Sequence, residues 1–322
     1  MSLPDTPPLS LFRAADLSGV VPASTELRRE LRAGTLVRLR RGVYLASTEW
    51  NALDRDDRYR ASVRAAALSL GPDAVFSHQS AAALWGLPIV GPWPAEVHLL
   101  VDRATGGRSD PGMRRHALGV TEQDFTTIDN IRVTTLARTV IDIAATASLY
   151  SAVATADAAI HAPRFGPPPR LTKNDLSAEW ERMLPFRGYA RARRIVDFAE
   201  TQSGSTSEST SRVTIALLGL PAPELQRVYL VGGRELPVDF YWDGVDGIGE
   251  CDGLDKYSNP RLRAGKSIEQ VVIDEKLRED ALRRQAAGFT RWGSAEAMNP
   301  ALLRVKLLEL GLRQGAPRLR GR

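Results

Sequence analysis

Residues 236–257 read LPVDFYWDGVDGIGECDGLDKY and put three carboxylates on two short strands joined by a turn. Val238, Phe240 and Trp242 alternate with Asp239, Tyr241 and Asp243, the period of two expected for a strand with one apolar face. The DGVDG run at 243–247 is turn chemistry, because glycine supplies positive φ and aspartate bonds its own backbone. In the second run, 248–252, Glu250 and Asp252 share a face, roughly 6 to 7 Å apart at the usual strand rise. Antiparallel pairing of the two runs sets Asp239 across from Glu250. Three carboxylates at one sheet edge suit a hard divalent cation such as magnesium, which takes oxygen ligands and retains several waters. A solvated hairpin with acidic turns produces the same spacing without a metal.

The surrounding chain is ordinary globular material: 322 residues, 43% hydrophobic, 25% charged, net charge +5, enough for two or three domains. A single cysteine, Cys251, excludes a disulfide framework and fits a reducing cytoplasm. The opening MSLPDTPPLS lacks the basic and apolar regions of a secretion signal. The most apolar long stretch, 141–162, is Ala-rich and interrupted by Asp142, Asp157 and His161, so it reads as helix and no membrane partner is expected. Only five of the 43 basic residues are lysine, so arginine clusters carry more weight than the arginine count.

The clearest cluster is N-terminal. A short amphipathic helix is expected over 11–17, then a helix ELRRELRA (26–33) capped by Ser24 or Thr25 and ended by Gly34. LVRLRRGVYLA (36–46) alternates on both sides of Arg41-Gly42, as a tight hairpin does. Helix, turn, helix, hairpin is the order of a winged helix-turn-helix. Arg28, Arg29 and Arg32 fall on its second helix, and Arg38, Arg40 and Arg41 on the wing, where phosphate contacts supply DNA affinity and the helix reads bases. A basic module that contacts protein instead remains open.

Further on, helices are expected over 54–70 and from Ser77 to Gly86, a buried strand over 97–101, a strand bearing Arg114, Arg115 and His116, and a helix capped by Thr134 or Thr135. Arg138 and Asp142 are spaced as a helical ion pair. His78 reads as a helix N-terminal residue satisfied by backbone. HAPRFGPPPR (161–170) is the clearest linker. Two helices follow it, the second carrying Arg191, Arg193 and Arg194. The tail RQGAPRLRGR (313–322) is expected to be disordered.

Two resemblances join these readings. Arg40-Arg41-Gly42-Val43-Tyr44, followed by SHQSAA and a helix ending in WGL (77–87), resembles the N-terminal and middle domains of AbiEi-family antitoxins. Val238-Asp239-Phe240, Glu250-Cys251-Asp252-Gly253 and Lys256-Tyr257 resemble the very-short-patch-repair-like branch of the PD-(D/E)XK nuclease superfamily. That likeness extends over about residues 203–293, taking in Glu208, Gln226, Lys276, Arg278 and Asp280. It departs from the wider superfamily in placing Asp252 where a lysine is usual, so a lysine role falls to Lys256 or Lys276. Some relatives of this branch hold a structural zinc, but one cysteine and four scattered histidines do not make a four-ligand site, which leaves Mg²⁺ or Mn²⁺ and no zinc.

The resemblances imply an α/β (α+β multi-domain) chain. Its parts are a winged helix-turn-helix (1–50), an α/β middle domain (51–162), a linker with helices (163–202), a restriction-endonuclease-like mixed sheet flanked by helices (203–310) and a basic tail (311–322). They imply a DNA-binding, cytoplasmic protein with a metal-dependent endonuclease-like site: Asp239, Glu250 and Asp252 as metal ligands, Glu208 nearby, and Lys256 or Lys276 on the developing charge. A toxin-antitoxin setting would add a cognate toxin as partner. The alternative is a noncatalytic AbiEi-like antitoxin or repressor that keeps a degenerate nuclease fold.

Overall fold

The computed structural model describes residues 9–17, 23–107, 109–252 and 268–319. It is a mixed α and β protein with twelve α-helices and three sheets among those residues. Two compact units divide the chain, one formed by 1–147 and 173–196, the other by 148–172 and 197–322. No helix among the described residues is long and apolar enough to cross a membrane.

The first unit opens with β1 (Phe12–Arg13), α1 (Ala23–Ala33), β2 (Leu36–Arg40), β3 (Val43–Ala46) and α2 (Ser47–Ala52), its strands forming an antiparallel sheet in the order β1-β3-β2. Residues 11–17 do not form the expected α-helix but β1 and a 3-10 turn. So short a segment cannot offset the cost of helix nucleation, whereas pairing with β3 stacks Phe12 on Tyr44 at 5.8 Å. Gly34 and Gly42 take φ of 73° and 77° at the end of α1 and at the hairpin turn, where a β-carbon would be strained.

A second sheet in this unit has the order β6-β5-β4-β8-β7, built from β4 (Val75–Phe76), β5 (Val97–Val101), β6 (Met113–Ala117), β7 (Phe125–Ile128) and β8 (Ile131–Thr134). Helices α3 (Arg55–Leu70), α4 (His78–Trp85) and α5 (Leu136–Thr146) form over the expected spans, but Ser77 makes no side-chain cap for α4, its hydroxyl lying against His78 Nδ1. Asp54 accepts the Asp57 amide at 2.8 Å, Thr135 accepts the Arg138 amide at 3.2 Å, and Gly86 closes α4 with φ 67°. Arg138 bridges Asp124 at 2.6 Å and Asp142 at 3.1 Å, all three buried. The apolar stretch 141–162 is broken at Ala147, and α6 (Leu149–Ile160) begins afresh with Ser148 accepting the Ser151 amide at 3.1 Å.

Spatial grouping differs from the linear segmentation suggested by the proline-rich stretch. Helix α6 belongs to the second unit, whereas α7 (Lys173–Met183) and most of α8 (Tyr189–Phe198) belong to the first. Asp157 of α6 is fully buried and pairs with Arg212 at 2.5 Å on α9 (Thr206–Leu217). Arg191 of α8 donates to the Ala144 and Ala147 carbonyls at 2.7 and 2.5 Å, occupying acceptors at the C-terminal end of α5.

In the second unit, β9 (Glu224–Val231), β10 (Arg234–Trp242), β11 (Gly247–Asp252) and β12 (Gly288–Gly293) form a sheet ordered β12-β11-β10-β9. The first three are an antiparallel meander, and β11 pairs parallel with β12. A parallel pair needs a long crossover, and α10 (Ile268–Arg283) lies within it. Phe240, Trp242 and Trp292 pack with Ile215 of α9 and with Leu303 and Leu307 of α12 (Pro300–Glu309), which follows the one-turn α11 (Ser294–Ala297). Tyr241, expected on a polar face, is buried against Ile248 and Leu282, because α10 covers the other side of the sheet. The described part of the tail is ordered: Gly315 donates to Gly219 at 2.8 Å, Arg318 to Ala216 at 3.0 Å, and Leu319 is buried.

Candidate functional site

The carboxylates converge at the start of α9 and the middle of the four-stranded sheet. Phe240 pairs with Gly249, Tyr241 with Ile248 and Trp242 with Gly247, and Asp239 and Glu250 each lie one residue beyond the end of this ladder. Glu208 comes from the first turn of α9, where Ser205 caps the helix by accepting its amide at 3.1 Å. Between them lies Gln226 of β9, a non-glycine residue with φ 52°, a conformation that costs energy and collects at functional sites. Its side-chain amide donates to Glu208 Oε2 at 3.2 Å and to Asp239 Oδ1 at 3.5 Å. Asp239 Oδ2 accepts the Cys251 amide at 2.8 Å.

Two carboxylates on one amide leave a local excess of negative charge. Burial, then the nearby Asp239, raises the Glu208 carboxyl to about 7, so it holds a proton well into the neutral range. Glu250 is buried and meets Arg278 of α10 through two bonds of 3.0 Å, a bidentate pair. Arg278 also donates to the Pro237 carbonyl at 2.5 Å, so it is anchored to β10 as well. Burial pushes the Cys251 thiol up to about 12, which leaves it protonated at neutral pH.

The predicted metal ligands are not gathered into one set. Asp252 pairs with Arg291 of β12, which also holds Glu275 and Glu279 of α10. Asp239, Glu250 and Asp252 do not bring three ligand atoms within 4.8 Å, a spacing met among the described residues by a different trio. Lys276 is exposed on α10, and Lys256 lies outside the described residues. Gln226, Arg278 and Arg291 carry much of the site's geometry. The resemblance took in Gln226 and Arg278 without assigning them these roles, and Arg291 left no local signal, because it is far along the chain from the carboxylates it holds.

The N-terminal arginines divide into two kinds. Arg28, Arg29 and Arg32 are exposed on α1, with Arg29 paired to Glu26 at 2.9 Å, and Arg38 and Arg41 are exposed on the β2–β3 hairpin. Arg40 instead turns inward and donates to the Gly112 carbonyl at 2.7 Å. It holds the hairpin to the loop before β6.

Three of the four histidines are not scattered, while His161 lies apart against the Thr201 carbonyl. His78, His98 and His116 meet in the first unit, and the rings of His78 and His116 stack at 3.6 Å. His78 Nδ1 lies 3.1 Å from Ser77 Oγ rather than against backbone. Burial pushes His78 well down and His98 and His116 down to about 4, so all three are neutral at pH 7.

No family model matches the chain. It is similar to two uncharacterized proteins of Mycobacterium tuberculosis, MT2308 of strain CDC 1551 / Oshkosh and Rv2248 of strain ATCC 25618 / H37Rv. Each is 27% identical over 285 residues, covering 83% of this chain and 95% of the relative. The matched span is longer than either compact unit, so the likeness takes in both.

Proposed function

We propose that the chain binds DNA and that its second unit carries a Mg²⁺- or Mn²⁺-dependent phosphodiesterase site of the very-short-patch-repair-like PD-(D/E)XK kind. The observation that carries this reading is the Glu208–Gln226–Asp239 arrangement beside Glu250, in which a strained strand residue draws two carboxylates together. A raised Glu208 carboxyl is the charge excess that a divalent cation would relieve, although the carboxylates would have to draw closer together to share one ion. Asp239 and Glu250 would hold it, with Glu208 alongside. The ion would activate water and stabilise charge on the scissile phosphate. Arg278, fixed by Glu250 and the Pro237 carbonyl, points a guanidinium into the same site to counter charge on a phosphate oxygen. Glu208, titrating near neutrality, is placed to take and release a proton.

In the first unit, α1 and the β2–β3 hairpin would act as the recognition helix and wing of an AbiEi-like DNA-binding module, with β1 and a 3-10 turn in place of the first helix. Arg28, Arg29 and Arg32 would lie along the groove, with Arg38 and Arg41 on phosphate. A cytoplasmic role in defence or in a toxin-antitoxin pair follows from that resemblance.

One observation favours the noncatalytic alternative: Glu250 and Asp252 are already neutralised by Arg278 and Arg291. Cleavage of supercoiled plasmid and short single-stranded DNA with Mg²⁺ or Mn²⁺ separates the two readings. Metal-dependent cutting that is lost in Glu250→Ala supports the nuclease. Binding at the chain's own promoter with no cutting of either substrate supports the repressor.

A further inference from the structure

His78, His98 and His116 come from three elements that sequence does not bring together. His78 opens α4, His98 lies on β5 and His116 on the edge strand β6. Strands β5 and β6 run parallel, with His98 opposite Arg114 and Leu100 opposite His116, so His98 and His116 sit diagonally on one face. His116 Nε2 lies 3.1 Å from His98 Nδ1, and one potential ligand atom from each histidine falls within 4.8 Å of the others. His78 reaches the cluster by adopting φ 49°, outside the region non-glycine residues prefer.

Two buried polar atoms here have no hydrogen-bond partner: His98 Nε2 and Asp142 Oδ2. His98 is 5% exposed and Asp142 3%, and buried groups left unsatisfied are costly. Asp142 gives its other oxygen to Arg138, and its orphaned oxygen lies 3.8 Å from His78 Nδ1. That side of the His78 ring therefore faces Ser77 and Asp142, leaving Nε2 for a ligand. Ser77 Oγ, 3.1 Å from Nδ1, is the group that holds this ring, and Asp142 stands beyond hydrogen-bond distance behind it; a polar partner on one ring nitrogen orients the other toward a metal. The three rings line a cleft of about 1140 Å³ that also presents Arg114 and Arg187, with Arg182 held by Asp124 and Glu179.

From this geometry we propose that His78, His98 and His116 form a zinc site with a fourth position open to the cleft. Imidazole nitrogens about 2.0–2.1 Å from a tetrahedral ion stand roughly 3.3 Å apart, so the 3.1 Å pair is already near that spacing. Rotation of the His78 ring out of its stack on His116 would bring in the third. Three uncharged nitrogens and no thiolate or carboxylate in the first ring of ligands suit zinc rather than magnesium or calcium. The open position takes water or an anion, which the cleft arginines favour. This site is separate from the carboxylate site and does not depend on its activity.

The test uses the full chain, stripped with a chelator, re-equilibrated with excess Zn²⁺, desalted and assayed for metal. About one equivalent of zinc is expected in the wild type, in His161→Ala and in Asp239→Ala, with loss in His98→Ala and His116→Ala. Far-UV circular dichroism shows whether those variants fold. Cobalt replacement of the wild type is the second readout, and strong visible ligand-field absorption of a four- or five-coordinate ion is expected. Retention of zinc below about a tenth of an equivalent by the wild type would overturn the site. So would undiminished zinc in folded His98→Ala and His116→Ala, or a weak octahedral cobalt spectrum. If those variants do not fold, the cobalt spectrum decides the matter.

Discussion

At the residue scale, Glu208 is the most informative side chain. Its carboxyl accepts the Gly204 amide at 3.0 Å, the Ser205 hydroxyl at 2.8 Å and the Gln226 amide at 3.2 Å, yet burial and Asp239 outweigh these bonds. The folded pKa of about 7 lies above the ordinary value of 4.5, so between those pH values the folded protein binds more protons than the unfolded one. The stability that protonation contributes is complete below pH 4.5 and lost as pH rises through 7. Urea unfolding in chelator should therefore show the wild-type midpoint falling from about pH 5 to about pH 8, and falling less in Glu208→Gln. Parallel midpoints in the two proteins would place Glu208 in solvent-like surroundings. Added Mg²⁺ should reverse the trend if the cation binds beside the carboxylate, since it favours the ionised form.

At the scale of elements, the Asp157–Arg212 pair fastens α6 to α9. Arg212 also donates to the Phe198 carbonyl at 2.5 Å, and Asp157 accepts from Ser209 at 2.8 Å. Asp157→Ala leaves Arg212 buried without its counter-charge and should cost about 3–5 kcal/mol, whereas the double change with Arg212→Met should recover much of that loss. Chemical denaturation of the single and double variants measures both. No local pattern announces this pair, because its members are 55 residues apart. What was legible was local: the existence of the 238–252 hairpin, α3 and α5 from Asp54 and Thr135, and the Arg138–Asp142 bond from its i, i+4 spacing. The details of the hairpin differ: Val238 packs with Tyr241 and not with Phe240, and the left-handed residue of its turn is Asp246, φ 43°, rather than a glycine. Long-range partners were not legible. Arg278 finds Glu250 across 28 residues and His116 finds His98 across 18, so neither meeting leaves a mark in either segment. The tail illustrates the converse error: RQGAPRLRGR has a disordered composition, yet its Gly315 and Arg318 amides find acceptors at the end of α9 and the turn after it.

At the scale of the whole molecule, each unit carries its own proposed chemistry, and the net charge of +5 favours a polyanionic partner. Charge reversal at Arg38 and Arg41, both exposed, should weaken retention on DNA. The slope of affinity against salt should fall by about one for each phosphate left without its arginine. Arg40→Glu should behave differently, since it removes a bond to Gly112 and lowers stability before it alters DNA binding. Fluorescence anisotropy across a salt series, with thermal unfolding of the same samples, separates the two effects. The central claim is that Asp239 and Glu250 form a cutting site, and nicking of supercoiled plasmid by wild type, Asp239→Asn and Glu250→Gln tests it most directly. The expected result is Mg²⁺- or Mn²⁺-dependent conversion to open-circular or linear DNA, abolished by EDTA and reduced by about 100-fold or more in either folded variant. Cutting that persists unchanged in both folded variants would contradict the claim, as would intact plasmid with wild type under either metal.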